Sequence, residues 1–181
     1  MDTTQQFEKV IDLCREVFQH KLKDYGPSWR IMRPQSITDQ IFIKAKRIRT
    51  LEIKKESKIN EGIRSEFIGI VNYGVIGLIQ LALGFSDTVD MEFEKALELY
   101  NKYITDTKAL MYAKNHDYDE AWRMMRNSSY TDIILSKINR TKQIEDNNGQ
   151  TITSEGIEAN YMDIINYALF GLIKLEFNEK L

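Results

Sequence analysis

In each half of the chain a lysine interrupts the apolar stripe of one helix face, where a positive charge is costly, and an arginine follows three residues later. Lys44 and Arg47 are three residues apart, and the same spacing recurs at Lys137 and Arg140. Residues three apart share one face of a helix. A partly buried ammonium needs an anion, and a lysine beside the fork of an arginine suits phosphate. The pairs are therefore candidate phosphate-binding residues; the alternative is that the lysines snorkel or pair with carboxylates for purely architectural reasons.

Four acidic residues form the complementary set. Glu66 and Asp163 interrupt apolar stretches, and Glu61 and Glu155 stand where those stretches begin. Carboxylates that converge from two helices are hard oxygen ligands of the kind that Mg²⁺ prefers. The four acids therefore predict a magnesium site shared with phosphate oxygens of a ligand. For Glu61 and Glu155 alone, an ordinary role at a helix start is the better interpretation.

A third set combines aromatic rings with guanidinium groups, which together can stack on a base and hold phosphate. The candidate base-stacking residues are Tyr25, Trp29, Tyr118 and Trp122. The candidate phosphate-binding arginines beside them are Arg30, Arg33, Arg123 and Arg126. The alternative is that the tryptophans fill the ends of a bundle, while Arg30 and Arg123 pair with the nearby Asp24 and Asp117.

These residues recur because the chain is a tandem repeat. The segment KDYGPSWRIMRPQS from Lys23 matches HDYDEAWRMMRNSS from His116 at an offset of 93 residues. The second copy then gains one residue, and NYGVIGLIQL from Asn72 matches NYALFGLIKL from Asn166 at an offset of 94. The copies cover about 7–83 and 100–177, and 84–99 is the linker and the start of a bridging helix. We expect one domain over 1–181.

The repeat alignment shows that the copies have lost complementary carboxylates. Glu66 aligns with Asn160, and Gly69 aligns with Asp163. Two ancestral sites should therefore have become either one composite site or two unequal sites. The basic pairs should line the site or its rim, with the lysine of each pair against a carboxylate of its own copy. The expected partners are Glu66 or Glu61 in the first copy and Asp163 or Glu155 in the second.

Within each copy the periodicity is helical, which predicts an all-α bundle of two repeats about a pseudo-twofold axis. Ser36 and Ser129 have the spacing of a helix-start signature, and the helices that follow should end near Lys54 and Asp146. A bridging helix is predicted over 87–113. The last helices, 67–83 and 161–175, should pair at the centre, where the sequence provides three small residues for close approach: Gly74, Gly77 and Gly171.

Composition excludes several classes of protein. The 181 residues carry a net charge of −2 and a pI near 5.8, which argues against a duplex nucleic acid partner. The single cysteine, Cys14, excludes an intrachain disulfide. The stretch 67–85 could cross a bilayer by length, but Asn72 and Gln80 interrupt it, so we interpret it as a core helix and expect no membrane partner. With no secretory leader at the start, a cytoplasmic protein is expected.

The repeated strings resemble the nucleotide modification associated domain 1 family over nearly the whole chain. The first copy contributes DYG-x-x-WR-x-MR, TDQIFIKAKRIR and EGI…EFIGIVNY, and the second contributes WRMMR, SSYTD and EGIEANYMDIINY. The resemblance implies a helical protein of nucleotide metabolism or base modification. The family is more remotely similar to the MazG-like all-α nucleoside triphosphate pyrophosphatases. Those enzymes use acidic helix pairs to hold Mg²⁺, split the α–β phosphate bond and are typically dimers, which implies a homodimer here.

One departure from that enzyme pattern leaves two functions open. The middle helices carry lysine and arginine where the pyrophosphatases would have acids, and the later acids are present only as Glu66 and Asp163. One expectation is a Mg²⁺-dependent pyrophosphohydrolase, or a binding protein, for a nucleotide or a related small-molecule triphosphate. The other is a non-catalytic helical sensor or a scaffold that binds a partner protein.

Overall fold

Over the residues that the structure describes, the fold is a bundle of six α-helices. The computed structural model describes residues 1–54 and 59–177, and the side chains of 59–61 lie outside that description. The helices are α1 (Thr3–Tyr25), α2 (Pro34–Lys54), α3 (Ile59–Leu83), α4 (Phe93–Tyr118), α5 (Asn127–Asp146) and α6 (Ile157–Glu176). A short 3₁₀ turn precedes the middle helix of each copy, at Ser28–Ile31 and at Ala121–Met124. The described ranges contain no strand, which confirms the all-α prediction.

Local chemistry sets the helix boundaries. A capping box at Asp2 begins α1, because the Asp2 carboxylate accepts from the Gln5 N–H and the Gln5 side chain accepts from the Asp2 N–H. The starts predicted at Ser36 and Ser129 are wrong by two residues. Helix α2 begins at Pro34, whose fixed φ and missing N–H suit the first helical position. The predicted end at Asp146 is confirmed. The end predicted near Lys54 stays a prediction, because Lys54 is the last residue described before 59.

The bridging helix begins later than the predicted residue 87. Helix α4 spans Phe93–Tyr118, and the chain before it is held against the first 3₁₀ turn by Arg30. The Arg30 guanidinium donates to the Gly84 carbonyl at 2.7 Å and to Asp90 Oδ1 at 2.9 Å, and the Ser86 N–H donates to the Arg30 carbonyl. These contacts fix residues 84–90 in a non-helical course, so the helix starts after them.

The two apolar helices α3 and α6 pack together at the centre. Their contact is reciprocal: an added Cβ at Gly77 would lie 2.6 Å from the Tyr161 ring, and one at Gly171 would lie 2.7 Å from the Phe67 ring. The offset of 94 exchanges Gly77 with Gly171 and Phe67 with Tyr161. The predicted pairing of the last helices is therefore confirmed. The predicted close approach at the glycines is also confirmed, at Gly77, at Gly171 and at Gly74 beside Ile165.

Helices α2 and α5 form a second reciprocal contact between the copies. Arg49 pairs with Asp132 at 3.5 Å, and Lys142 pairs with Asp39 at 3.2 Å. The offset of 93 exchanges Arg49 with Lys142 and Asp39 with Asp132. Two independent pairs of exchanged contacts establish the pseudo-twofold relation between the repeats.

Within the described residues, one helix segment, Gly62–Leu83, is long and apolar enough to cross a membrane by length and composition. The core helix of a soluble protein passes the same test. Here 67% of the window is buried inside the bundle, because α1, α2, α4 and α6 pack around it. The segment therefore serves as the central helix of the core, as the sequence predicted.

Equivalent asparagines tie the last helix of each copy to the first. Asn72 Nδ2 donates to the Cys14 carbonyl at 3.0 Å, and Asn166 Nδ2 donates to the Thr107 carbonyl at 3.2 Å. The Tyr100 hydroxyl also donates to Asn72 Oδ1 at 2.7 Å. Its repeat equivalent in the first copy is a phenylalanine, Phe7. Asn166 Oδ1 is buried and has no hydrogen-bond partner among the described residues.

Substitution of Tyr100 with phenylalanine tests the energetic value of that hydroxyl. Tyr100→Phe leaves Asn72 Oδ1 buried without its donor, so the free energy of unfolding should fall by about 1–2 kcal/mol in urea denaturation. The matched control is Tyr112→Phe, which removes a buried hydroxyl that has no partner in the described structure. That control should be neutral or stabilising, and equal losses in both variants would contradict the assignment.

The central helix contact predicts a second pair of stability effects. In Gly77→Ala the new methyl group would meet the Tyr161 ring, a buried aromatic that cannot move aside cheaply, so about 1–3 kcal/mol of stability should be lost. Gly62→Ala lies on the same helix and meets only the tip of Leu51 at 3.1 Å. The control should be neutral or gain stability from helix propensity. Thermal unfolding of both variants measures the difference.

Candidate functional site

Equivalent positions of the two repeats line a pair of cavities, each among the helices of one copy. The first cavity, of about 400 Å³, lies among α1, the first 3₁₀ turn, α2 and α3, and the second, of about 340 Å³, lies among α4, the second turn, α5 and α6. The first cavity is lined by Lys21, Tyr25, Trp29, Lys44, Gly69 and Asn72, among others. At the equivalent positions the second is lined by Lys114, Tyr118, Trp122, Lys137, Asp163 and Asn166.

A carboxylate lies between the two lysines of the second cavity. Lys114 Nζ donates to Asp163 Oδ1 at 2.6 Å, and Lys137 Nζ donates to Asp163 Oδ2 at 2.8 Å. The Asp163 side chain is only 9% exposed. Burial alone would raise the pKa of Asp163, but the two lysine hydrogen bonds outweigh it and hold that pKa below its ordinary value of 3.8. Asp163 is thus an ionised group with both oxygens satisfied.

The first cavity has no side chain at the matching position, because Gly69 stands there. A Cβ on Gly69 would lie 2.7 Å from Lys44 Cε, so the lysine stem occupies that space. Lys44 Nζ reaches Glu66 at a long 3.7 Å, and Arg47 binds the same carboxylate at 2.5 Å. Lys21, which lines the cavity from α1, has no ion pair among the described residues. Two lysines therefore line this cavity, and its carboxylate, Glu66, is shared between Lys44 and Arg47.

The expected pairing of each lysine with a carboxylate is present, with Lys44 on Glu66 and Lys137 on Asp163. Of the two outcomes that the repeat alignment left open, the structure shows two unequal sites. Glu66 lines the first cavity and Asp163 lines the second. A composite site with both acids in one pocket is not formed.

The described carboxylates do not fit a magnesium ion. Glu66 is held by a lysine and an arginine, and Asp163 by two lysines, so their oxygens already face cations. No cluster of three or more His, Cys, Asp or Glu side chains occurs in the described part of the chain. Glu155 is exposed and lines a separate opening with Arg140. The side chain of Glu61 lies outside the described residues, so its predicted role as a ligand stays a prediction.

The tryptophans and tyrosines of the aromatic set have different exposures. Trp122 is 5% exposed, with Phe170 stacked on its ring at 4.4 Å and the Arg123 guanidinium 4.3 Å from the ring centroid. Both faces of that indole are covered, so the predicted stacking of a base on Trp122 does not fit. Trp29 is also buried but lines the first cavity. Tyr25 is 58% exposed at the rim of that cavity.

The flanking arginines lie away from the two cavities, and neither Arg30 nor Arg123 uses the aspartate partner suggested by the sequence. Arg30 is buried and binds Asp90 in place of Asp24. Arg123 binds Glu120 at 2.6 Å and also donates to Thr3 Oγ1 and Gln6 Oε1 on α1. Both arginines fasten the 3₁₀ turns to the bundle. The other two arginines, Arg33 and Arg126, are exposed and line none of the three cavities described here.

Lys21 and Lys114 are the cavity residues that sequence reasoning missed. Both lie on the long helix that precedes the 3₁₀ turn, one turn before Tyr25 and Tyr118. The signal was available, because the offset of 93 places a lysine at the same position in both copies. On a polar helix end, however, a repeated lysine looks like ordinary solvated surface.

The lowered pKa of Asp163 gives a prediction with a definite sign. A depressed folded-state pKa means that the ionised carboxylate stabilises the fold above its unfolded pKa, and that this stabilisation is lost as pH falls through the folded-state pKa. Asp163→Asn should therefore cost about 1–3 kcal/mol at pH 7, and the gap to wild type should shrink at pH 3. Asp132→Asn, at an exposed surface pair, should show little gap at either pH in urea denaturation.

The family model for nucleotide modification associated domain 1 matches the chain twice, over residues 21–81 and 114–175. The two matched segments begin at Lys21 and Lys114, the equivalent lysines of the two cavities, and each contains most of the cavity-lining residues of its copy. No curated protein and no solved structure matches the chain. The chain belongs to the nucleotide modification associated domain 1 family and carries two copies of that domain in tandem.

Proposed function

We propose that this protein binds a nucleotide, or a related phosphorylated small molecule, in the first cavity. The observation that carries the proposal is that Lys21 and Lys44 both line a cavity in which Gly69 supplies no side chain. The carboxylate of this cavity, Glu66, reaches Lys44 only at 3.7 Å and is bound more closely by Arg47. An anion with several oxygens would satisfy both lysines. The family description supports a ligand from nucleotide chemistry.

The remaining lining of the first cavity suits the rest of such a ligand. Its volume of about 400 Å³ lies within the range of small-molecule sites. Tyr25 at the rim and Tyr73 and Trp29 in the wall supply aromatic surface for a base. Arg64 also lines the cavity, but its guanidinium is paired with Glu176. The net local charge is therefore positive and is set by the two lysines, which favours an anionic ligand.

Between a binding protein and a pyrophosphohydrolase, the side-chain geometry favours binding without turnover. Hydrolysis of a triphosphate by an all-α enzyme would need acidic side chains free to hold the metal. Glu66 and Asp163 are each engaged by two cations, and they lie in different cavities. We therefore favour a nucleotide sensor among the alternatives, and magnesium stays a prediction that the turnover assay below tests.

Binding affinity tests the two lysines directly. Calorimetric titration with nucleoside mono-, di- and triphosphates should show binding to the wild type. Loss of a charge-assisted hydrogen bond costs about 1.5–3 kcal/mol, so Lys21→Ala and Lys44→Ala should each weaken binding by about 10- to 100-fold.

The matched control for these variants is Lys23→Ala. Lys23 is an exposed lysine two residues from Lys21, and it does not line the cavity. Its variant should bind within about twofold of wild type, since only long-range charge is lost. Absence of nucleotide binding to wild type, or equal losses in all three variants, would contradict the proposal.

A turnover assay separates the sensor from the enzyme. Pyrophosphate release is measured for each nucleotide with Mg²⁺ and with Mn²⁺, using wild type, Glu66→Gln and Asp163→Asn. We expect no release above background in any of them, because the described residues offer no free carboxylate pair to hold the metal. Release by wild type that disappears in both variants would instead establish the pyrophosphohydrolase.

A further inference from the structure

We propose that Asp163 is a built-in anion, which fills in the second cavity the place that a ligand phosphate takes in the first cavity. The protein would then bind one anionic ligand per chain although it has two copies of the site. This inference rests on the proposed function of the first cavity. It adds that the second cavity is closed to anions by the protein's own carboxylate.

The repeat equivalence of the cavities carries the first step. The offset of 93 exchanges Lys21 with Lys114 and Lys44 with Lys137, and all four lysines line their cavities. The lysine framework is therefore duplicated without change. At the position of Gly69, the second copy carries Asp163. The cavities thus differ at two positions beside the lysines. Glu66, which reaches Lys44 only at 3.7 Å, is replaced by Asn160, and Gly69 is replaced by an aspartate that binds both lysines.

The contacts of Asp163 carry the second step. Each of its oxygens accepts from a different lysine, at 2.6 and 2.8 Å, which is the length of charge-assisted hydrogen bonds. An oxyanion bridging two ammonium groups is the arrangement that a phosphate would make with the same pair. A ligand phosphate entering the second cavity would meet this carboxylate at short range, and the like charges would repel in a partly desolvated site.

Unpaired polar groups in the second cavity carry the third step. Among the residues that line it, Trp122 Nε1 and Asn166 Oδ1 are buried without a hydrogen-bond partner in the described structure. Unsatisfied buried donors and acceptors are rare in folded proteins. The second cavity keeps the lysine pair and has unpaired polar atoms, but the Asp163 carboxylate occupies the position between the lysines. These are the features of a ligand site that was closed by substitution.

Moving the carboxylate between the copies should move the binding site. Asp163→Ala removes the internal anion, and Gly69→Asp adds one to the first cavity. The three atoms nearest to a Cβ added at Gly69 all belong to the flexible side chain of Lys44, which can move to pair with the new carboxylate. The probe is inorganic pyrophosphate, titrated into the full-length protein and followed by calorimetry.

The expected stoichiometries differ for each variant. Wild type should bind one pyrophosphate per chain, Asp163→Ala two, Gly69→Asp none, and the double variant one. Gly69→Asn is the control for Gly69→Asp, because it adds nearly the same volume without the charge. If the carboxylate closes the cavity by repelling pyrophosphate and by binding the lysines, Gly69→Asn should keep more than half of the wild-type stoichiometry. Should Asp163→Ala fail to fold by circular dichroism, Asp163→Asn removes the charge with little change of shape and should also gain a site.

The two tryptophans report which cavity is filled, because one lines each cavity and the chain contains no others. In a Trp122→Phe background, pyrophosphate should change the fluorescence of Trp29. In a Trp29→Phe background it should change the fluorescence of Trp122 only when Asp163 is replaced. Equal stoichiometry in wild type and Asp163→Ala, whether zero, one or two, overturns the inference. If the pyrophosphate stoichiometries are as expected but wild type binds no nucleotide, the inference stands and the proposed function is refuted.

Discussion

A lysine ammonium in the wall of an apolar bundle needs a negative charge within reach, because its desolvation is otherwise uncompensated. This requirement applies twice here, at Lys44 and at Lys137, and the two copies satisfy it differently. In the second copy the charge comes from Asp163, centred between two lysines. In the first copy it comes from Glu66, at the edge of the cavity and shared with Arg47. The cavity shapes and their chemical difference follow from these two solutions.

The two copies can differ at Gly69 and Asp163 because the contacts at these two positions stay within one copy. Gly69 lies against Lys44, and Asp163 binds Lys114 and Lys137. The copies meet through Gly77 and Gly171 against aromatic rings, and through the exchanged ion pairs of α2 and α5. Each cavity is enclosed by helices of its own copy alone. Exchange of glycine and aspartate at this one position therefore changes the charge of a cavity without a direct change in the contacts that join the repeats.

Sequence reasoning succeeded where periodicity and the repeat determine the answer. The offset alignment predicted the paired last helices, the close approach at Gly77 and Gly171, and the lysine–carboxylate contacts of Lys44 and Lys137. Each of these depends on which residues share a helix face, and helical spacing fixes that.

Prediction from the sequence failed for side chains whose contacts come from a distant part of the chain. Arg30 takes Asp90 from the linker, and Arg123 takes two acceptors from α1, so neither is available for phosphate. Trp122 is covered by Phe170 from the last helix, which no local pattern indicates. The separation of Glu66 from Asp163 likewise needed the packing of the repeats. Stability and ligand binding place conflicting demands on a single site, and under the proposed roles the duplication assigns one demand to each copy. In the second copy the paired Asp163 stabilises the fold. In the first copy Gly69 and the loosely paired Lys44 lower stability but keep a binding site open.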